Sequence, residues 1–256
     1  MAEVETTREG AVLTITFNRP DVLNAFNKAL HDHLNLALKD ARDPEIRAVI
    51  VTGAGRAFNV GQDLTEFQDA SGDIADRLRT SYHPNVHAVR ALEKPVIAAV
   101  NGPAAGAGLS FACACDIRIA ADSAVFIPAF INIGLIPDAG GSFFIGRLLG
   151  ASRAFEWMSS GRRLTAGEAL DWGLVSEVVE TDALPARAAE LAAGLGAMPT
   201  RGVGMTKRLF DARGTNTLEE QLELEAQLQS AATKTEDFRE GVAAFLEKRD
   251  PDFKGR

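Results

Sequence analysis

The chain has 256 residues, 46% hydrophobic and 24% charged, with a formal net charge of −8. This is enough apolar material for one large α/β domain, alone or with a small appendage. The negative balance is spread without a block of like charge and argues against nucleic acid or an anionic membrane as partner, because both call for a basic face.

The segment "AVLTITF" alternates, with Leu13, Ile15 and Phe17 on one face, and predicts a strand that ends at the turn "NRPD". From Lys28 to Arg42, Leu30, Leu34, Ala37, Leu38 and Ala41 make the stripe of an amphipathic helix. "RAVIVTG" reads as a buried strand running into the loop "GAGRAFNVGQD". A weaker helical pattern from Ile74 to Leu92 is expected to break at Pro84. "KPVIAAV" is a second buried strand, and it leaves through "NGPAAGAG" into a short helix. "DIRIAADSAVF" predicts a third strand region.

After Gly140 the pattern becomes helical, with the short strand "GLVSEVVE" between helices. "TAGE" at Thr165 and "TLEE" at Thr217 have capping-box spacing. The expected division is a strand–helix core over 1–195 and a helical lobe over 196–256, the lobe covering the site and a neighbouring subunit. Trp157 and Trp172 read as packing residues.

Cys113 and Cys115 are two apart, a spacing that points their side chains away from each other. Neither they nor His31, His33, His83 and His87 form a metal-binding pattern, so no metal is expected. With no secretory signal and no apolar run of membrane length, the expected compartment is the cytoplasm.

Each glycine turn follows a buried strand, and such turns can leave backbone N–H groups unpaired in a cleft. Taken singly, each reads as a tight turn, and neither matches a nucleotide-phosphate loop. Asp138 in "GLIPDAGG" reads singly as a helix N-cap, with a catalytic base as the alternative.

Taken together, "GAGRAFNVGQDL", "KPVIAAVNGPAAGAG", "CDIRIAADSAVF" and "GLIPDAGG" resemble the enoyl-CoA hydratase/isomerase (crotonase) superfamily in order and spacing. "NRPDVLNAF" and "FREGVAAFLEKRDPDF" extend the resemblance over essentially the whole chain. It implies an α/β fold of the ClpP/crotonase type, a spiral of ββα units with a C-terminal helical lobe, assembled as homotrimers or dimers of trimers. It also implies an acyl-CoA thioester substrate, whose CoA is part of the substrate, with no separate cofactor.

By the same resemblance, the backbone N–H groups of Val60 and Ala107 form an oxyanion hole. Gly61, Gln62, Asp63, Leu64 and Gly106 bind substrate or CoA, with Asp63 also holding the turn. Hydratases of this kind use two glutamates; Ser110 and Phe130 stand in those positions, and both are expected at the acyl pocket. Asp138 is the carboxylate left in the motif region, where hydratases commonly have glycine. The motifs look closest to the isomerase branch, which includes Δ3,Δ2-enoyl-CoA isomerases and the ring-epoxide isomerase of phenylacetyl-CoA breakdown. The resemblance thus implies an isomerase with Asp138 as acid/base; a hydratase and a non-catalytic acyl-CoA-binding module are the alternatives.

Asp138 can also cap the helix from Gly140, which would lower its pKa while burial raises it. Phe126, Phe130 and Ile133 are expected to keep the site dry. Tyr82 is read as an aromatic with its hydroxyl at the surface, or else as a contact to the acyl group. Lys248 and Arg249 read as helix-end charges, with CoA phosphates as the alternative partner.

Overall fold

The structure, a computed structural model, describes residues 2–68 and 73–256. Strand β1 (Val4–Glu9) pairs antiparallel with β2 (Val12–Phe17), whose Leu13, Ile15 and Phe17 point inward as their alternation requires. Helix α1 (Lys28–Asp40) starts where the Asn27 side chain accepts the Leu30 N–H, and it buries Leu30, Leu34, Ala37 and Leu38. β3 (Ala48–Gly53) runs parallel to β2 and is followed by the short α2 (Thr65–Gln68).

Next come α3 (Ile74–Arg77), a π turn over Leu78–Tyr82, and α4 (His83–Ala91). The break expected at Pro84 is absent. A proline lacks an N–H and crowds the carbonyl one turn back, and the widened turn just before it absorbs that misfit. The His83 N–H reaches the Leu78 carbonyl, five residues back, and the helical path continues.

β4 (Val96–Val100) and β5 (Ala104–Ala105) lead to α5 (Ala107–Ala114), β6 (Ile117–Ala121) and β7 (Val125–Ile127). Then follow α6 (Gly141–Leu149), α7 (Ala151–Ser160), β8 (Leu164–Thr165), α8 (Ala166–Asp171) and β9 (Glu177–Val179). The chain ends with α9 (Leu184–Ala197), α10 (Thr200–Ala212), α11 (Leu218–Ala232) and α12 (Glu236–Glu247). Both expected capping boxes form, at Thr165–Glu168 and Thr217–Glu220.

The main sheet has the order β1-β2-β3-β4-β6-β9, parallel except for β1, and a small sheet has the order β5-β7-β8. The central strands are buried on both faces and serve two cores. Val49, Val51, Val96, Ala98 and Val100 join the larger core with α1 and α5. Their alternates Ala48, Ile50, Ile97 and Ala99 pack on Leu184, Ala188 and Ala192 of α9. Trp157 and the half-buried Trp172 meet edge to face at 6.2 Å and belong to the larger core.

The division expected at 195/196 falls in the last turn of α9, so the helix-only region opens with α10. That region is tied back to the sheet. Arg47 donates to Thr200 Oγ1 and to the carbonyls of Met198 and Phe253. The almost fully buried Lys207 of α10 donates to Asp116, which also accepts from Arg90. Arg249 forks onto Glu240 and pairs with Glu247, so its charge is met within the chain, while Lys248 occupies a left-handed C-cap. Among the described residues, no helix is long and apolar enough to cross a membrane.

Candidate active site

The site is built on the two turns. In the loop after β3, the fully buried Asn59 donates to the Asn24 carbonyl and accepts the Gly61 N–H at 2.8 Å. Its carbonyl accepts the Ala105 N–H at 2.9 Å, which ties the first turn to the second. Gly108, in the first turn of α5, lies against it: a Cβ there would stand 2.2 Å from the Asn59 carbonyl oxygen, so no side chain fits. Gly61 has φ +89°, and a Cβ on it would stand 3.3 Å from the Ala107 nitrogen.

The turns therefore pack together where Gly61 meets Ala107. Among the described residues, neither the Ala107 N–H nor that of Val60, beside Gly61, has an acceptor. For Ala107 the reason is general, because the first N–H groups of a helix have no carbonyl one turn back. Gly106, at φ +51°, turns the chain into that helix and donates its own N–H to the Ile127 carbonyl at 3.0 Å.

Asp138 does not cap α6. The N-cap is Gly140, at φ +82° and without a side-chain bond, and it is the Asp138 carbonyl that accepts the Gly141 N–H. The next residue, Ala139, is buried at φ +47°, a left-handed conformation unusual for alanine. The carboxyl is half-buried, and its Oδ1 is enclosed with no partner among the described residues. Burial pushes its pKa up to about 6, and a hydrogen bond from its own N–H opposes the shift without reversing it. Of the two opposed influences expected on this group, burial wins.

The remaining candidates fall into three places. Phe130, buried, lies against the second turn: a Cβ on Gly106 would be 3.9 Å from its ring. Ser110 is fully enclosed between α5 and α6, where a Cβ on Gly141 would meet its Oγ at 2.4 Å. Phe126 is fully buried, whereas Ile133 is 57% exposed in this chain and shields nothing within it. Asp63 accepts the Thr65 N–H and hydroxyl and pairs with Arg19 at 3.0 Å, and the Thr65 hydroxyl bond leads in holding its carboxyl below the usual range. Leu64 next to it is exposed.

Tyr82 departs from its reading, since its hydroxyl is not at the surface. The side chain is 4% exposed, and the hydroxyl donates to Gln62 Oε1. Burial first, and then the negative charge of Asp138, push its pKa well above the ordinary value, so it stays a donor. His31 supports it from behind, stacked on Phe26 at 4.7 Å and edge to face with Tyr82 at 4.2 Å. His31 lies in no quoted motif, and Asn59, though inside "GAGRAFNVGQDL", has nothing in its type to mark it out; a buried polar residue has no sequence signal apart from the fold that buries it.

A cavity of about 430 Å³ lined by His83, Val86, His87, Phe143 and Phe144 adjoins Ala139 and Gly140. Cys113 and Cys115 are both buried free thiols, pushed up to about 11 and about 12 by burial. Among the described residues, no group of three or more His, Cys, Asp or Glu side chains could hold a metal ion.

The chain is similar to known proteins over nearly its whole length. Residues 7–256 match the family model described as enoyl-CoA hydratase/isomerase. A 1,2-epoxyphenylacetyl-CoA isomerase of Escherichia coli is 44% identical over 253 residues, 97% of each chain. A probable enoyl-CoA hydratase of Rhodobacter capsulatus is 45% identical over 246 residues, 94% of each chain. A crystal structure of an enoyl-CoA hydratase from Bacillus anthracis superposes with a TM-score of 0.95 at 34% identity, covering 99% of this chain and all of that one.

Proposed function

The chain belongs to the enoyl-CoA hydratase/isomerase family, and from that premise we propose that it is an isomerase of acyl-CoA thioesters with Asp138 as its acid/base. The observation that carries this reading is the Asp138 carboxyl: half-buried, unpaired at Oδ1 and pushed up to about 6. Ser110 and Phe130 offer no second carboxylate to place or activate water, which weighs against hydration.

In this mechanism the thioester oxygen sits on the N–H groups of Val60 and Ala107. Asp138 takes a proton from C2 of a 3-enoyl thioester, and the electron pair moves into the thioester carbonyl to give a dienolate. When the same carboxyl returns the proton at C4, the carbonyl reforms and the double bond lies between C2 and C3. Fixed backbone donors hold the charge without reorganising, each typically giving about 10²–10³ in rate. A base with a pKa near the working pH is ionised enough to accept the proton and acidic enough to give it back.

The 1,2-epoxyphenylacetyl-CoA isomerase relative supports a ring epoxide as the substrate, opened after loss of the C2 proton, and the aromatic cavity beside Ala139 and Gly140 is of a size to take a ring. Gly61, Gln62, Asp63, Leu64 and Gly106 frame the thioester and its CoA in this reading. No cofactor beyond that CoA enters it. Phe238, Val242, Phe245 and Leu246, exposed on α12, support burial of that face against a neighbouring subunit, and this reading includes a homotrimer or a dimer of trimers in the cytoplasm. The test is exchange of C2 and C4 hydrogens into deuterated water across aliphatic 3-enoyl-CoA and phenylacetyl-CoA epoxide substrates. Exchange should occur in the wild type and vanish in Asp138→Asn while acyl-CoA binding persists; exchange that survives the substitution overturns the proposal.

A further inference from the structure

Gln62 follows the glycine that touches the Ala107 N–H, and its carboxamide is held in one orientation. Oε1 accepts the Tyr82 hydroxyl, and Nε2 donates one hydrogen to the Asp63 carbonyl at 3.2 Å. The second Nε2 hydrogen has no acceptor among the described residues. Because the Asp63 carbonyl can only accept, a flip would set Oε1 against it, so the carboxamide keeps this orientation. Tyr82 is itself clamped, edge to face with Phe26 at 5.6 Å and with His31 at 4.2 Å, and the π turn aims it at Gln62.

Gln62 adjoins the glycine packed against Ala107, and its partner Tyr82 feels the charge of Asp138, so the carboxamide neighbours both parts of the site. A site meant for a hydrocarbon acyl group has no use for a fixed amide donor there. When such an acyl group displaces water, the N–H goes unpaired, which costs binding.

We propose that Gln62, aligned by Tyr82, is a specificity-determining residue: its free N–H donates to an oxygen carried by the acyl group itself, such as a ring epoxide. The site then prefers oxygenated acyl thioesters to hydrocarbon ones. Tyr82 is the positioning residue, and Gln62 makes the contact. The inference rests on the isomerase reading above and adds the side chain that selects the acyl group.

The test compares kcat/KM for a phenylacetyl-CoA ring epoxide and an aliphatic 3-enoyl-CoA in the wild type, Gln62→Met and the near-isosteric Tyr82→Phe, with C2 hydrogen exchange as a second readout. Gln62→Met should lower kcat/KM for the epoxide at least tenfold more than for the aliphatic substrate, and Tyr82→Phe should shift the ratio in the same direction by less. C2 exchange should persist in both variants. Equal losses on both substrates, or an unchanged ratio in both variants, overturn the inference. Failure of the isomerase reading shows separately, as C2 exchange absent from the wild type or retained in Asp138→Asn.

Discussion

Gly61 and Ala107 approach so closely that the missing side chain of one defines the space in front of the N–H of the other: a Cβ on Gly61 would stand 3.3 Å from the Ala107 nitrogen and 3.1 Å from the Ala105 carbonyl oxygen. Gly61→Ala therefore intrudes on one of the two donors and strains a backbone at φ +89°. The expected outcome is a fall in kcat of about 10²–10³, the usual consequence of losing one such donor, with a stability loss of about 1 kcal/mol or more. Steady-state turnover and thermal melting check both. Wild-type turnover in this variant would mean that no charge develops in front of Ala107.

The pH–rate profile follows from Asp138. Its carboxyl must be ionised to take a proton, so kcat/KM should rise with pH through a midpoint near 6 and level off above it. Measuring kcat/KM between pH 4.5 and 8 checks this. A limb centred near pH 4 would mean that water reaches the carboxyl and cancels the effect of burial.

Stability should carry the mark of two buried groups acting against each other. The folded pKa of Asp138, about 6, lies above its ordinary 3.8, so its contribution is fully present at low pH and is lost as pH rises across that interval. His31 is pushed down from 6.5 to about 4, mainly by burial, so its contribution is present above 6.5 and lost as pH falls towards 4. Each amounts to at most about 3 kcal/mol, less for the half-buried Asp138. Relative to the wild type, Asp138→Asn should gain stability as pH rises from 4 to 6.5, and His31→Phe should lose it. Urea midpoints at three pH values within that range check the opposed slopes, and parallel slopes would count against both burials.

The pair Lys207–Asp116 joins α10 to the sheet, and its two halves should not be equivalent. Asp116 accepts from Arg90, Lys207 and the Val96 N–H, and Asp116→Ala leaves the enclosed Lys207 ammonium with the Val89 and Lys94 carbonyls but no counter-charge, at a cost of about 3–5 kcal/mol. Lys207→Met leaves Asp116 its other two donors and should cost less than half as much. Denaturant unfolding of the two variants decides, and equal losses would refute the asymmetry.

The parts of the fold legible in sequence were those with a strong period or a local chemical signal. The alternation of Leu13, Ile15 and Phe17, the stripe of α1 and the capping boxes at Thr165 and Thr217 all stand as read. β1 escaped because it is an edge strand that buries Val4 alone. β5 and β8 have two residues each, too few for any period, so the small sheet had no signature. Within the site, Asp138 could be singled out by type and motif, yet its relation to the helix could not, because that depends on Ala139 adopting a left-handed backbone. The Tyr82 hydroxyl was placed at the surface as the polar end of an aromatic usually is, when the π turn carries it inward to Gln62 instead. Asn59 and His31 act through burial, which only the assembled core reveals.

The extra residue of the π turn has a consequence for tolerance to change. An α-helix advances about 100° per residue, so deleting one residue between Leu78 and Tyr82 would restore a regular spiral and swing every preceding side chain of the segment a quarter-turn or more about the axis. Substitutions along the outer face of α3 and α4 can vary freely; the number of residues cannot. Chain length here is itself a functional quantity, counted from Pro84 back to the phenol that faces Gln62.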